Sequence, residues 1–258
     1  MIQLSNTQNL TGVTISGDYY DLTQLADALQ EITISELGEV DAESRHFINI
    51  SHRIFNIYDE IRNTALGYEA IDTLPNGIGE QHQAALHQII PRENIYYSCN
   101  ILYPEMIVLH IALDELIELR TYKKREGHYH FESIMDQEIS WDKTIATIRM
   151  FQSSFRDLIA ETLTPMSFSR WHDLVHKKVR IHRITNPFID MCNQEYMASP
   201  REERAKRIVP LTNKLLDFEE DRENENYRLA IEKVRLETHC HVYNVVFKEL
   251  EYPEDIEW

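Results

Sequence analysis

The sequence predicts an α+β fold, predominantly α-helical, in which a small N-terminal antiparallel sheet packs against long helices and the C-terminal half is helical. Three observations carry this. Short runs rich in β-branched and aromatic residues stand at 2–5, 10–15 and 94–102, while apolar residues recur every three to four positions over most of the remainder. Glycine is scarce, seven residues in 258, with eight prolines. That scarcity disfavours turn-rich all-β architectures and glycine-dependent phosphate loops.

In chain order, 2–5 and 10–15 read as paired strands around the polar stretch NTQN. In SGDYYDLTQL, Gly17 and Asp18 supply turn chemistry, and Asp21, with Gln24 three residues on, forms a capping box for a helix from Leu22 to Ile32. Phe47, Ile50, Ile54, Ile57 and Ile61 mark a long amphipathic helix over 41–66. A strand at 68–74 ends in the turn PNG, a short helix follows over 80–89, and a strand covers 94–102. Pro104 and Glu105 open a helix reaching Lys123, apolar nearly all round at its start and hence central. Ser140 is expected to cap a helix over 141–163, which Pro165 breaks, and Ser167 to start another through Val179. Asn186-Pro187 and Ser199-Pro200 read as helix starts, and a long helical segment over 211–238 is interrupted by EEDRENEN. The chain is expected to form a single domain over 1–258. Its composition change near 125–140 offers a subdivision into sheet plus helices (1–130) and a helical part (140–250).

The formal charge of −17 repels nucleic acid and anionic membranes, so neither is expected as a direct partner. A protein partner is expected instead, a basic one by charge complementarity, with self-association into a homo-oligomer as a further option. Cys99, Cys192 and Cys240 are scattered, odd in number and without CxxC spacing, which suits a reducing cytoplasm and argues against a disulfide framework. No run of about 18 apolar residues occurs, and the start MIQLSNTQNL has no basic-then-apolar pattern. A cytoplasmic location is the expectation.

Candidate binding residues are Asp18, Tyr19 and Tyr20 on the first turn, and Tyr252 and Trp258 in the acidic tail EYPEDIEW, which is expected to fold back on its own domain. His128/His130 and His239/Cys240/His241 are further clusters, each lacking evident third and fourth ligands nearby. In RWHDLVHKK, His172 and His176 share one helix face at a spacing that suits metal binding. Asp173 stands where a zinc protease would carry its glutamate, so that chemistry is not expected. The segment resembles the signature of the HD-domain phosphohydrolases. That resemblance implies His172 and Asp173 as ligands of a divalent metal ion that activates water, with His176 beside them. No cofactor is expected otherwise, and no GxGxxG, GxxxxGK[ST] or GxSxG motif occurs.

A broader resemblance joins NLTGVTISGDYYDLTQL, NIYYSCNILYPE and WDKTIATIRMFQ, which together are similar to a bacterial family of unknown function. It implies a bacterial cytosolic protein without an assigned reaction. The expectation from sequence is therefore a non-enzymatic, acidic binding or regulatory protein, with the metal-dependent phosphohydrolase centred on His172, Asp173 and His176 as the alternative.

Overall fold

The computed structural model describes residues 1–34, 44–86, 90–124, 137–177, 184–218 and 224–239, together with 245, 253 and 255–258 near the C-terminus. Four strands, β1 (Gln3–Asn6), β2 (Gly12–Gly17), β3 (Ala70–Pro75) and β4 (Glu93–Leu102), form one sheet in the order β1-β2-β4-β3. Every neighbouring pair is antiparallel. Directly opposed residues share a face, so the pairs Val13↔Ile101 and Ile15↔Cys99 point to one side, where all four are buried. Gly12 is required by close approach: a Cβ there would stand 2.2 Å from the Ile101 carbonyl oxygen.

Helix α1 (Tyr19–Ile32) begins three residues earlier than the sequence suggests, and the cap is Asp18 rather than Asp21. The Asp21 N–H donates to Asp18 Oδ1 (2.8 Å), and the Asp18 N–H donates to Asp21 Oδ2 (3.3 Å). This is a reciprocal capping box with Asp21 in the third helical position. Because β2 runs to Gly17, the helix starts as soon as the strand ends, and Leu22, Leu25 and Leu29 face the core.

A 3-10 turn (Ser44–Phe47) leads into α2 (Ile48–Ala65), and α3 (Glu80–Leu86) lies between β3 and β4. Helix α4 (Tyr103–Lys124) follows β4 without a gap and is the central helix, with Met106, Ile107, Leu109, Leu113 and Leu116 buried. After α5 (Gln137–Ser140), helix α6 (Lys143–Thr162) is capped by Asp142, not Ser140; its carboxylate accepts from the Thr144 and Ile145 N–H groups. Pro165 opens helix α7 (Pro165–Val175) rather than merely ending α6. Thr164 is the cap, its Oγ1 accepting from the Ser167 N–H, so proline sits where its missing donor costs nothing. Helices α8 (Asn186–Met197), α9 (Arg201–Leu216) and α10 (Glu225–Thr238) complete the described elements. Thr185, not Asn186, precedes α8 as its cap residue. Helix α9 continues through Pro210, so the helical segment expected from Leu211 starts inside it.

Two charged centres, one partly buried and one buried, tie these elements together. Arg53 of α2 donates from Nε to Glu105 of α4 (2.8 Å) and from Nη2 to Asp190 of α8 (2.7 Å); Asn193 Nδ2 also donates to Glu105 (2.5 Å). Among the described residues Arg204 of α9 bonds only uncharged acceptors, the carbonyls of Ser199 (3.0 Å), Asn9 (2.7 Å) and Met197 (2.9 Å) and the Thr11 hydroxyl (2.7 Å). It thereby ties the β1–β2 turn to the α8–α9 junction. Buried apolar side chains from Val13 in β2 to Ile231 in α10 belong to one continuous cluster.

Candidate interaction surface

The β3–β4 pairing is where the sheet outruns its cover. Ile71↔Tyr97 and Thr73↔Ile95 are opposed pairs, and Gly17↔Tyr97 carries their face onto β2. By strand alternation Ile71, Ile95 and Tyr97 therefore lie on the same side as Cys99 and Ile101, the side that forms the core. Yet Ile71 is 55% and Ile95 53% exposed, and every residue of β3 is exposed. The two-stranded ribbon continues the core face past the helices. Acidic side chains border it: Glu69 and Glu93 are exposed, exposed Asp72 points to the opposite face of β3, and Arg92 lies 3.5 Å from Glu80. Burial and the charge of Glu69 raise the pKa of neighbouring Glu60. Strand β3 ends the sheet order, so among the described residues its outer edge has no strand partner.

The residues singled out from sequence fall in three places. Asp18 is used by the α1 cap, and Asp21 also receives the Met1 amine at 2.5 Å. Tyr19 and Tyr20 are 46% and 80% exposed and pack edge to face at 5.4 Å. Trp258 packs against Gly12, and the Thr11 hydroxyl donates to the Glu257 carbonyl (2.5 Å), so the last residues lie on the sheet. Tyr252, His128, His130, Cys240 and His241 fall outside the described residues, as do 125–136 and 219–223.

His172 and His176 do share a face, and their rings stack at 4.1 Å. His176 Nδ1 lies 2.8 Å from the His172 carbonyl, while exposed Asp173 lines a groove beside α8 and α9. Among the described residues no three His, Cys, Asp or Glu side chains converge so as to hold a metal ion. His110 of α4 lies between Phe155 (5.4 Å) and Trp171 (5.5 Å), its ring tilted to both. Its Nδ1 is buried without a hydrogen-bond partner among the described residues, and burial lowers its pKa to about 4. Burial likewise pushes the Cys99 and Cys192 thiols up to about 12, which leaves them inert.

Sequence reading had the strand 94–102 but not the exposed ribbon. Ile71, Thr73, Ile95 and Tyr97 carry the needed alternation; what alternation cannot say is where the covering helix stops. The family model described as "Domain of unknown function (DUF6904)" matches residues 2–258. No curated protein and no solved structure matches the chain.

Proposed function

We propose that this chain, which belongs to the DUF6904 family of unknown function, is a non-enzymatic cytoplasmic binding protein that recognises a basic protein partner through the β3–β4 ribbon. The supporting observation is the uncovered stretch of core face, Ile71 and Ile95, inside an acidic rim. A partner segment that adds a strand to the free edge of β3 gains main-chain hydrogen bonds, and apolar side chains on alternate positions cover the two isoleucines. Covering each is worth about 1 to 2 kcal/mol before association costs, given the half already hidden. Lys or Arg on the partner would meet Glu69, Asp72 and Glu93. A second copy of this chain would bring the same acidic rim, so like charges oppose homodimerisation here. Among the described residues no helix is long and apolar enough to cross a membrane.

The test is affinity capture from the native cell extract with wild type and Ile71→Asp/Ile95→Asp side by side, both checked by thermal unfolding. A stoichiometric basic protein retained by wild type and lost by the folded variant supports the proposal. Stoichiometric divalent metal that disappears in His172→Ala/Asp173→Ala, together with phosphoester turnover, would overturn it in favour of the phosphohydrolase.

A further inference from the structure

Helices α7 and α9 present the same side-chain pattern to one groove. Arg170, Asp173, Leu174 and Lys177 stand at positions i, i+3, i+4 and i+7 of one segment; Arg207, Pro210, Leu211 and Lys214 stand at the same positions of the other, and all eight line the groove. This spacing returns to one face of a helix. It puts Arg207 and Lys214 roughly 10 Å apart along the α9 axis with leucine between; the other row starts on α7 at Arg170 and ends at Lys177, two residues past the helix. Cys192, Glu195 and Tyr196 of α8 close the third wall, and the volume is about 670 Å³, within the range of small-molecule pockets.

The cations in it are unequally occupied. Lys214 is fixed by Glu195 (2.6 Å) and by the faces of Phe188 (5.8 Å) and Tyr227 (5.0 Å). Arg207 has one long exposed contact with Glu203 (3.5 Å). Among the described residues Arg170 has only the Met166 sulfur, at 4.0 Å, and Lys177 pairs with no carboxylate. Against these four cations the lining holds two carboxylates, Asp173 and Glu195. A positive excess in a chain of charge −17 runs against the composition.

We infer that this groove binds a small organic oxyanion, a phosphate or carboxylate carried on an apolar body. The guanidinium groups of Arg170 and Arg207 would take the oxyanion, since a planar fork of N–H donors matches two oxygens at once. Leu174, Val209, Pro210 and Leu211 supply the apolar wall. The groove shares no residue with the ribbon, so the two sites stand or fall separately.

The experiment is isothermal titration calorimetry of the full chain at low salt with phenyl phosphate, phenylacetate and benzyl alcohol. Expected is saturable binding of one or both anions, weakened at least about tenfold in Arg170→Gln/Arg207→Gln, with no binding of the alcohol. The preferred anion identifies the oxyanion class. Arg170 and Arg207 are both exposed, so the variant is expected to keep its unfolding temperature; should it not, Lys177→Gln replaces it with the same expected direction. Equal binding by wild type and variant, equal binding of benzyl alcohol, or no binding of either anion at about 10 mM, far weaker than ordinary ligand affinities, would overturn the inference.

Discussion

Strand β4 carries Ile95 and Ile101 on one face, yet Ile101 is 7% exposed and Ile95 53%. Both belong to one apolar alternation, but Ile101 pairs with Val13 of β2 over the helical core, whereas Ile95 pairs with Thr73 of the edge strand β3. At the covered end the face meets the helical core; at the other end it continues as a ribbon with nothing described over it. A sequence therefore encodes a face that wants burial without encoding where in the monomer that burial is supplied. Under the proposed function, the uncovered end is the part that a partner would cover.

The comparison breaks most severely at the covered end. Arg204→Met would leave the buried Ser199 carbonyl, the partly buried Asn9 and Met197 carbonyls and the Thr11 hydroxyl short of a donor. The expected loss is about 4 kcal/mol in chemical denaturation. The two isoleucines give the next largest contrast. Ile101→Ala should cost about 2 to 4 kcal/mol as a core truncation, whereas Ile95→Ala should stay within about 0.5 kcal/mol. Equal costs would mean the ribbon is covered in solution.

The buried interior should also respond to pH through His110. In the unfolded chain its imidazole takes a proton near its ordinary value of 6.5, but the folded protein keeps it neutral down to about 4. The unfolded state thus binds the proton first as pH falls. Its contribution is full above pH 6.5 and declines towards pH 4, by roughly 2 to 3 kcal/mol. Wild type and His110→Leu, compared at pH 7 and pH 4.5, should differ in the steepness of that decline. The smallest effect is expected at the first turn, where Asp18→Ala removes one cap bond and costs about 1 kcal/mol in thermal unfolding.

How much of this was legible depended on whether the signal was local. Helical periodicity located α1, α2, α4 and α6, because Leu22/Leu25/Leu29 and Ile50/Ile54/Ile57/Ile61 repeat within one element. Cap positions were less secure. Asp18 and Asp21 stand three apart and each could cap; the extent of β2 decides for Asp18. Pro165 reads as a helix breaker but occupies an opening position of α7, and the helical segment expected from Leu211 begins inside α9, which carries Pro210. The ribbon and the groove depend on which elements pack together. The rows Arg170–Lys177 and Arg207–Lys214 are plain in the sequence, but they become one groove only when α7 meets α9. Two of the four acceptors of Arg204, the Asn9 carbonyl and the Thr11 hydroxyl, come from a distant chain segment, so its local sequence does not announce a buried guanidinium.

The most direct measurement is amide hydrogen exchange over the chain, free and with its captured partner. The account predicts that residues 70–75 of β3 exchange fast in the free protein and become protected at alternate positions in the complex, while β1 and β2 change little. Protection confined to other elements, with β3 still exchanging fast, would contradict it.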